Sequence, residues 1–320
     1  MRVIGSRDGR RHHAVAALVG LFVLGAVAVA CSTAPEGADV PVLRVAAGPE
    51  PESRLLARTI VLLLDGEGIV AEPVAFADGR SARQALELGD AELLVAYTGE
   101  EWLTRLGRAD PPADPMAAFD ALVEVDRQRG LTWLVPRAGA GVEEPPANAT
   151  FAFFVAGPPS VHADLRTLSQ LSLRLAERPE LSLCVDTEFG RRDDGLAALL
   201  SAYSVRRDRP FLAADPADAV ARVLAGDCVA GLSDATDGRA WSAGMYPLGD
   251  DLRFFPALVP APVVRSATLT ESPAIGRALA PLLEGLSTGL LGRANGAVVA
   301  GGSIEAVAAD LVEQLRGTAR

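Results

Sequence analysis

Between residues 43 and 99 the hydrophobic period switches repeatedly between that of a strand and that of a helix. This alternation restricts the fold more than any other feature of the chain. Leu43–Ala47 is a short apolar run. Residues 52–64 then place Leu55, Leu56, Ile60, Leu63 and Leu64 at helical spacing, and Gly66 and Gly68 end that helix. Residues 69–76 read as a strand and 81–88 as a helix closed by Gly89. Residues 91–95 form a strand leading into Tyr97-Thr98-Gly99. Such an order predicts a parallel α/β sheet with right-handed crossovers and a ligand face at the carboxyl ends of its strands.

The pattern repeats further on. Residues 117–128 read as a helix and 131–135 as a strand. Residues 139–146, rich in Gly, Pro and Glu, read as a crossing into a second lobe. That lobe opens with a strand at 150–155, followed by a helix at 165–177, a strand at 181–185 and a helix at 195–203. Asp215 is a good N-cap, with Pro216 at the first helical position, for a helix over 216–224. A strand follows at 228–232. Residues 254–264 cross back, and helices at 272–286 and 303–314 close the chain. The expectation is an α/β protein of two lobes joined by hinge crossings. Residues 42–146 and 253–320 form the first lobe and 147–252 the second.

Ahead of this body, Arg2, Arg7, Arg10 and Arg11 precede an uncharged apolar stretch from residue 14 to residue 30, and Cys31 follows the small residues Ala28-Val29-Ala30. Residues 1–30 read as a secretory leader. Cys31 then becomes the lipid anchor of a bacterial lipoprotein, on the extracytoplasmic face of the cell membrane. The alternative is a plain transmembrane anchor, for which the apolar stretch is at the short edge. Residues 31–41, small, polar and proline-containing, read as a flexible tether.

Residues 1–30 carry four Arg and one Asp, a net +3, so the −11 of the whole chain becomes −14 for the remainder. An acidic body argues against a nucleic-acid partner and tolerates a cationic ligand. All 30 basic residues are Arg, which removes lysine chemistry. His162 is the one histidine after the leader, so a Cys/His metal cluster is excluded. Gly231-Leu-Ser233-Asp-Ala235 echoes a nucleophile elbow, but its last residue is Ala and no histidine follows. No phosphate-binding glycine pattern is present. These observations point away from an enzyme, a metal site or a cofactor. Cys184 and Cys228 read either as a disulfide or as two buried thiols, and export favours the bridge.

Several short motifs occur in order. Leu86-Glu-Leu-Gly-Asp90 leads to Tyr97-Thr98-Gly99. Trp133–Pro136, Asn148-Ala-Thr-Phe151 and the set Glu188, Phe189, Arg192, Asp194, Gly195 come next. Thr236-Asp237-Gly238 and Phe254-Phe255-Pro256 follow. Together they resemble the solute-binding proteins of osmoprotectant ABC transporters, which take glycine betaine, choline or carnitine. The resemblance implies a two-lobed, type II periplasmic-binding-protein-like fold. It also implies capture of a quaternary-ammonium ligand by an aromatic box through cation–π attraction, and docking, as a monomer, on a membrane ABC permease.

Carried over residue by residue, the resemblance assigns ligand contact to Tyr97, Thr98, Glu100, Phe151, Arg192, Tyr203, Asp237 and the position of Leu258. Tyr97 matches a ring of the box, and Arg192 a carboxylate-binding position. Phe151 stands for a tyrosine and keeps the ring. Leu258 stands for another and has no ring. Glu100 replaces a common threonine. Plainer readings stand beside these. Arg192 can pair with Asp193, Asp194 or Glu188. Tyr203 and Phe151 can be core residues. Asp237 before Gly238 can be a turn residue. The thinned box also admits a second function, a degenerate binding module that senses or scaffolds at the cell envelope.

Overall fold

A computed structural model describes residues 42–137, 146–206 and 211–318. The leader, Cys31, the tether and most of the expected crossing at 139–146 lie outside the described residues. Two five-stranded sheets organise the rest. The first contains β1 (Leu43–Ala47), β2 (Ala71–Ala75), β3 (Leu93–Tyr97) and β4 (Leu131–Trp133). The second contains β5 (Phe151–Ala156), β6 (Leu183–Val185), β7 (Phe211–Ala213), β8 (Ala230–Asp234) and β9 (Met245–Pro247). The last strand, β10 (Pro260–Arg265), returns to the first sheet.

Both sheets are mixed rather than parallel. β1 pairs in parallel with β2 and β3, as the alternating pattern predicts. β10 runs antiparallel to β3, with Pro260 opposite Tyr97, and antiparallel to β4. The reason is the chain path. Residues 254–259 come back from the second sheet and enter the first from the strand-end side, so β10 must run the other way. The second sheet repeats this arrangement. β6 is parallel to β7 and β8, while β5 is antiparallel to β8, with Phe151 opposite Asp234.

The expected helix at 52–64 is Pro51–Asp65. It buries Leu55, Leu56, Ile60, Leu63 and Leu64 against the first sheet and the closing helix Ile304–Thr318, which adds Leu311 and Leu315. Burial of each such side chain contributes roughly 1.5–3 kcal/mol. In the second sheet Phe153, Val155, Leu183 and Val185 pack with Leu171 and Leu175 of the helix Leu168–Glu177. Thr167 starts that helix by a capping box with Gln170. The expected helix at 216–224 is Pro216–Ala225, capped by Asp215. Cys184 on β6 and Cys228, just before the neighbouring β8, are joined by a disulfide with Cα atoms 5.7 Å apart.

Two features of the carboxyl-terminal third depart from the sequence expectation. The segment 272–286 is two short helices, Ala274–Ala278 and Ala280–Gly285, because Pro281 lacks the amide donor needed to continue a helix. Residues left unassigned by the pattern form the helix Thr288–Val299. Its glycines disguise it, and packing requires them. A Cβ at Gly292 would overlap the indole of Trp241, and a Cβ at Gly238 would overlap the backbone of Asn295. The small residues let this helix lie close to the helix Gly238–Ser242 beside the second sheet.

Candidate functional site

The carboxyl ends of β1, β3 and β8 open on one cavity of about 650 Å³. Ala46 lies in β1, and Gly48 and Glu50 follow it. Tyr97 ends β3, and Glu100 follows it. Asp234 ends β8, and Thr236 and Asp237 follow it. Ala149 and Leu258, on the two segments linking the sheets, complete the wall, with Asn295 from the helix Thr288–Val299. The linking segments are tied to one another. Ala149 N donates to Leu258 O at 2.9 Å, and Leu258 N donates to Asn148 Oδ1 at 2.7 Å.

On the first-sheet side Tyr97 Oη donates to Glu52 Oε1 at 2.5 Å. Asn295 Nδ2 donates to Glu52 Oε2 at 2.5 Å and to Thr236 O at 2.9 Å. Glu52 sits in the first turn of its helix, where free backbone amides favour a carboxylate. Burial and the adjacent Glu52 and Glu100 push the Tyr97 phenol well above its usual range, so Tyr97 stays a neutral donor. Asn295 is 8% exposed, and its Oδ1 has no hydrogen-bond donor.

Six carboxyl groups line the cavity: Glu50, Glu52, Glu100, Glu101, Asp234 and Asp237. Two guanidinium groups face them, Arg83 and Arg239, and both are engaged. Arg83 Nη2 donates to the buried Asp126 at 2.5 Å, while its Nη1, without a hydrogen bond, lies 3.8 Å from Glu101. Trp133 Nε1 donates to the same Asp126 oxygen at 2.7 Å. Arg239 grips Asp237 through Nε at 3.0 Å and Nη2 at 2.8 Å. Burial works against the charge of Asp237, but the bonds from Arg239 and Ser233 hold its carboxyl below the usual range.

The other carboxyls shift the opposite way. Partial enclosure, then Asp237 and Glu52, push Asp234 up to about 6, although its side chain still meets solvent in the cavity. Glu100 is raised by enclosure and by Glu50. Glu101, buried within the wall, is raised to about 7 by burial, against the pull of Arg83. Neither Glu100 nor Asp234 has a side-chain hydrogen bond or ion pair among the described residues.

Of the residues expected at the site, Tyr97, Glu100, Asp237 and Leu258 meet at this cavity. Thr98 lies behind it. It is fully buried, and its Oγ1 accepts from Val259 N at 3.0 Å, holding the return segment to the first sheet. Phe151 is 39% exposed and packs on Phe189 and Phe255, with ring centres 6.3 and 6.1 Å away. Arg192 is held by Asp194 at 2.8 and 3.1 Å. Tyr203 is buried, with Oη donating to Asp250 at 2.5 Å. None of these last four lines the cavity as it stands. Sequence reasoning passed over Glu52, Asp234 and Asn295. The paired acidic residues of Asp234-Ala-Thr-Asp237 were the available signal, whereas nothing local marks Asn295.

Residues 41–314 match the substrate binding domain of ABC-type glycine betaine transport systems. The chain belongs to this family. It is 27% identical to the glycine betaine-binding protein YehZ of Escherichia coli over 307 residues, 93% of this chain and 98% of that one. It is 26% identical to a glycine-betaine-binding protein of Pseudomonas aeruginosa over 268 residues, 82% of this chain and 83% of that one. The solved structure of apo YehZ superposes with a TM-score of 0.76 at 26% identity, covering 86% of this chain and 99% of that one. A solved glycine betaine/carnitine/choline ABC transporter structure gives 0.72 at 22% identity, with the same coverage. The two mixed sheets with flanking helices are thus a type II periplasmic-binding-protein fold. The family serves transport by binding solute rather than by catalysis. Among the described residues no helix is long and apolar enough to cross a membrane, and no group of three His, Cys, Asp or Glu side chains is placed to hold a metal ion.

Proposed function

We propose that this chain is the extracytoplasmic solute-binding protein of an ABC importer, anchored by lipid at Cys31, and that it captures a small ammonium osmoprotectant of the glycine betaine or choline kind. The observation that carries the reading is the cavity of about 650 Å³ walled by strand ends of both sheets, whose charged lining is six carboxyl groups against two guanidinium groups, around Tyr97. Its volume suits a small solute. Its charge attracts a cationic head, and the Tyr97 ring offers a face to it.

In this reading residues 42–146 and 253–320 act as one lobe and 147–252 as the other, closing on ligand as a monomer that docks on a permease. Tyr97, Glu100, Asp237 and Leu258 are the ligand contacts of the present arrangement. Phe151 reaches the ligand only by lobe movement. Arg192 would first have to leave Asp194, and Tyr203 would have to leave Asp250. The ringless Leu258 in the wall favours the second reading, a degenerate module that senses or scaffolds at the envelope.

Thermal unfolding with glycine betaine, choline, carnitine and proline betaine separates the two. A solute at 100 times its Kd stabilises by about 2.7 kcal/mol. Under the transport reading at least one solute raises the melting temperature, and Tyr97→Ala weakens its binding at least ~10-fold. No shift with any small ammonium compound would leave only the second reading.

A further inference from the structure

Tyr97 supplies the one aromatic ring among the residues lining the cavity, and that ring is held by a chain of bonds that starts far away in sequence. Its hydroxyl donates to Glu52 Oε1 at 2.5 Å, and among the described residues it has no other partner. Glu52 is held in turn by its second oxygen, which accepts from Asn295 Nδ2 at 2.5 Å. The same nitrogen donates to Thr236 O at 2.9 Å, just past the end of β8. An amide nitrogen has two N–H groups, and both are used. Asn295 Oδ1 is closed off within the wall, so the side chain offers a solute no free polar atom.

The place of Asn295 is set by close backbone contact, an observation independent of these bonds. A Cβ at Gly238 would stand 2.5 Å from Asn295 O, and one at Gly296 would stand 3.1 Å from Ser242 N. The helix Thr288–Val299 therefore lies against the helix Gly238–Ser242 with no side chain between them. Leu290, Leu291 and Ala294 of the same helix enter the core shared by β1, β3 and the helix Pro51–Asp65. One rigid element thus reaches both sheets, and Asn295 is its polar group at the cavity. An asparagine that served stability alone would have its buried acceptor matched. Here Oδ1 is left without a donor, while both N–H groups go to Glu52 and Thr236.

We infer, on the reading that this cavity is the solute site, that Asn295 is a positioning residue: through Glu52 it fixes the Tyr97 ring, and through Thr236 it ties the end of β3 to the end of β8. It acts on the solute only through Tyr97. A ring fixed before the solute arrives loses no rotamer freedom on binding. Without Asn295, Glu52 keeps a single bond and swings together with Tyr97, and the solute itself has to order the ring.

Labelling with 3-fluorotyrosine places a fluorine signal on Tyr97, Tyr203 and Tyr246, the three tyrosines of the chain, and Tyr97→Phe assigns the first. The test variants are Asn295→Ala and Asn295→Asp. Alanine suits a helix better than asparagine and removes the unmatched Oδ1, so the variant folds, which its melting verifies. Aspartate keeps the shape but has no N–H to donate to Glu52. Both are expected to shift or broaden the Tyr97 signal and to leave those of Tyr203 and Tyr246 in place. Leu311→Ala, a truncation in the first core, lowers stability and leaves the Tyr97 signal where it was. An unmoved Tyr97 signal in both Asn295 variants, an equal move in Leu311→Ala, or an Asn295→Ala chain that does not fold overturns the inference. Titration calorimetry with glycine betaine and choline separates it from the solute-site reading. If the protein binds either, Asn295→Ala weakens that binding about 3- to 10-fold, but less than ~2-fold once Tyr97→Phe has cut the bond to Glu52. Equal losses in the two backgrounds overturn the inference and leave the solute site standing. Binding of neither solute, with the Tyr97 signal moved as expected, removes the osmoprotectant reading and upholds Asn295 as the residue that holds Tyr97.

Discussion

The two walls of the cavity are built from similar strand ends but are supported differently. On the first-sheet side, polar groups face the cavity and are held from behind. Glu52 is fixed by Tyr97 and Asn295, and Arg83 is fixed by a buried layer of Asp126, Glu101 and Trp133. On the second-sheet side, the groups that the family pattern marks for ligands are turned into their own lobe. Phe151 leans on Phe189 and Phe255, Tyr203 on Asp250, and Arg192 on Asp194. Only the short segment from Asp234 to Arg239 presents polar side chains to the cavity. A motif residue can therefore match a ligand position in sequence and still be engaged in holding its own lobe together.

The largest expected effect comes from removing the support of the first wall. Asp126 is fully buried and accepts from both Arg83 and Trp133. Asp126→Ala leaves a buried guanidinium short of its partner, which costs on the order of 3–5 kcal/mol. Chemical denaturation measures this. A loss below about 1 kcal/mol would mean that Glu101 and Glu87 suffice for Arg83, and that the layer is not the support described.

Tyr203→Phe is the matching change on the second side. It removes the bond to Asp250 and the acceptor used by Leu252 N at 3.0 Å, for an expected loss of about 1–3 kcal/mol in stability. Ligand affinity of the folded protein should stay within ~3-fold, because Tyr203 does not line the cavity. A large loss of affinity at unchanged stability would return Tyr203 to the ligand site and remove the contrast between the walls.

How much of this was legible in the sequence follows from what periodicity encodes. The helix Pro51–Asp65 and strands β1 and β3 follow from apolar spacing alone, because each buries its apolar positions. Strand direction is not encoded that way, so residues 254–264 were read only as a crossing, and β10 within and just beyond them was neither assigned nor oriented. The helix Thr288–Val299 was invisible because Gly289, Gly292 and Gly296 lower helix propensity, and the purpose of Gly292 and Gly296 is a close contact with Trp241 that is remote in sequence. Asn295 was hidden for the same reason. Tyr97 and Glu100 were found because they sit just after a strand whose end faces the cavity. Arg192 and Tyr203 matched a pattern, while the partners that hold them, Asp194 and Asp250, depend on three-dimensional arrangement.

Glu101 offers a gentler test of the first wall. Its carboxyl is raised to about 7, against an ordinary value near 4.5, chiefly by burial. The folded state therefore holds this proton more tightly than the unfolded chain does. The resulting stability is present in full below pH ~4.5 and is lost as the pH rises through about 7. Glu101→Gln should remove that part of the pH dependence, on the order of 1–3 kcal/mol in the difference between wild type and variant across this window. Parallel stability profiles for the two proteins would show that Arg83 and Arg105 keep Glu101 ionised throughout.

The smallest expected effect addresses what the first wall lacks. Leu258 lines the cavity where the family pattern has a tyrosine, and its backbone is fixed by Asn148 and Ala149, so a larger side chain starts from a defined position. It also sits on Gly99, where a Cβ would be 3.0 Å from Leu258 Cγ, and that close contact directs a ring at residue 258 away from the strand end. Leu258→Tyr gives the cavity a second π face beside Tyr97. One added ring contributes roughly 0.5–1 kcal/mol for a quaternary ammonium, so tetramethylammonium and choline should bind about 2- to 5-fold more tightly. A primary alkylammonium such as n-butylamine should gain less, because its N–H groups are matched by oxygen acceptors rather than rings. Equal gains for both ligand classes would mean that the wall recognises shape alone, and the contrast between a carboxylate-lined first wall and a withdrawn aromatic second wall would lose its chemical meaning.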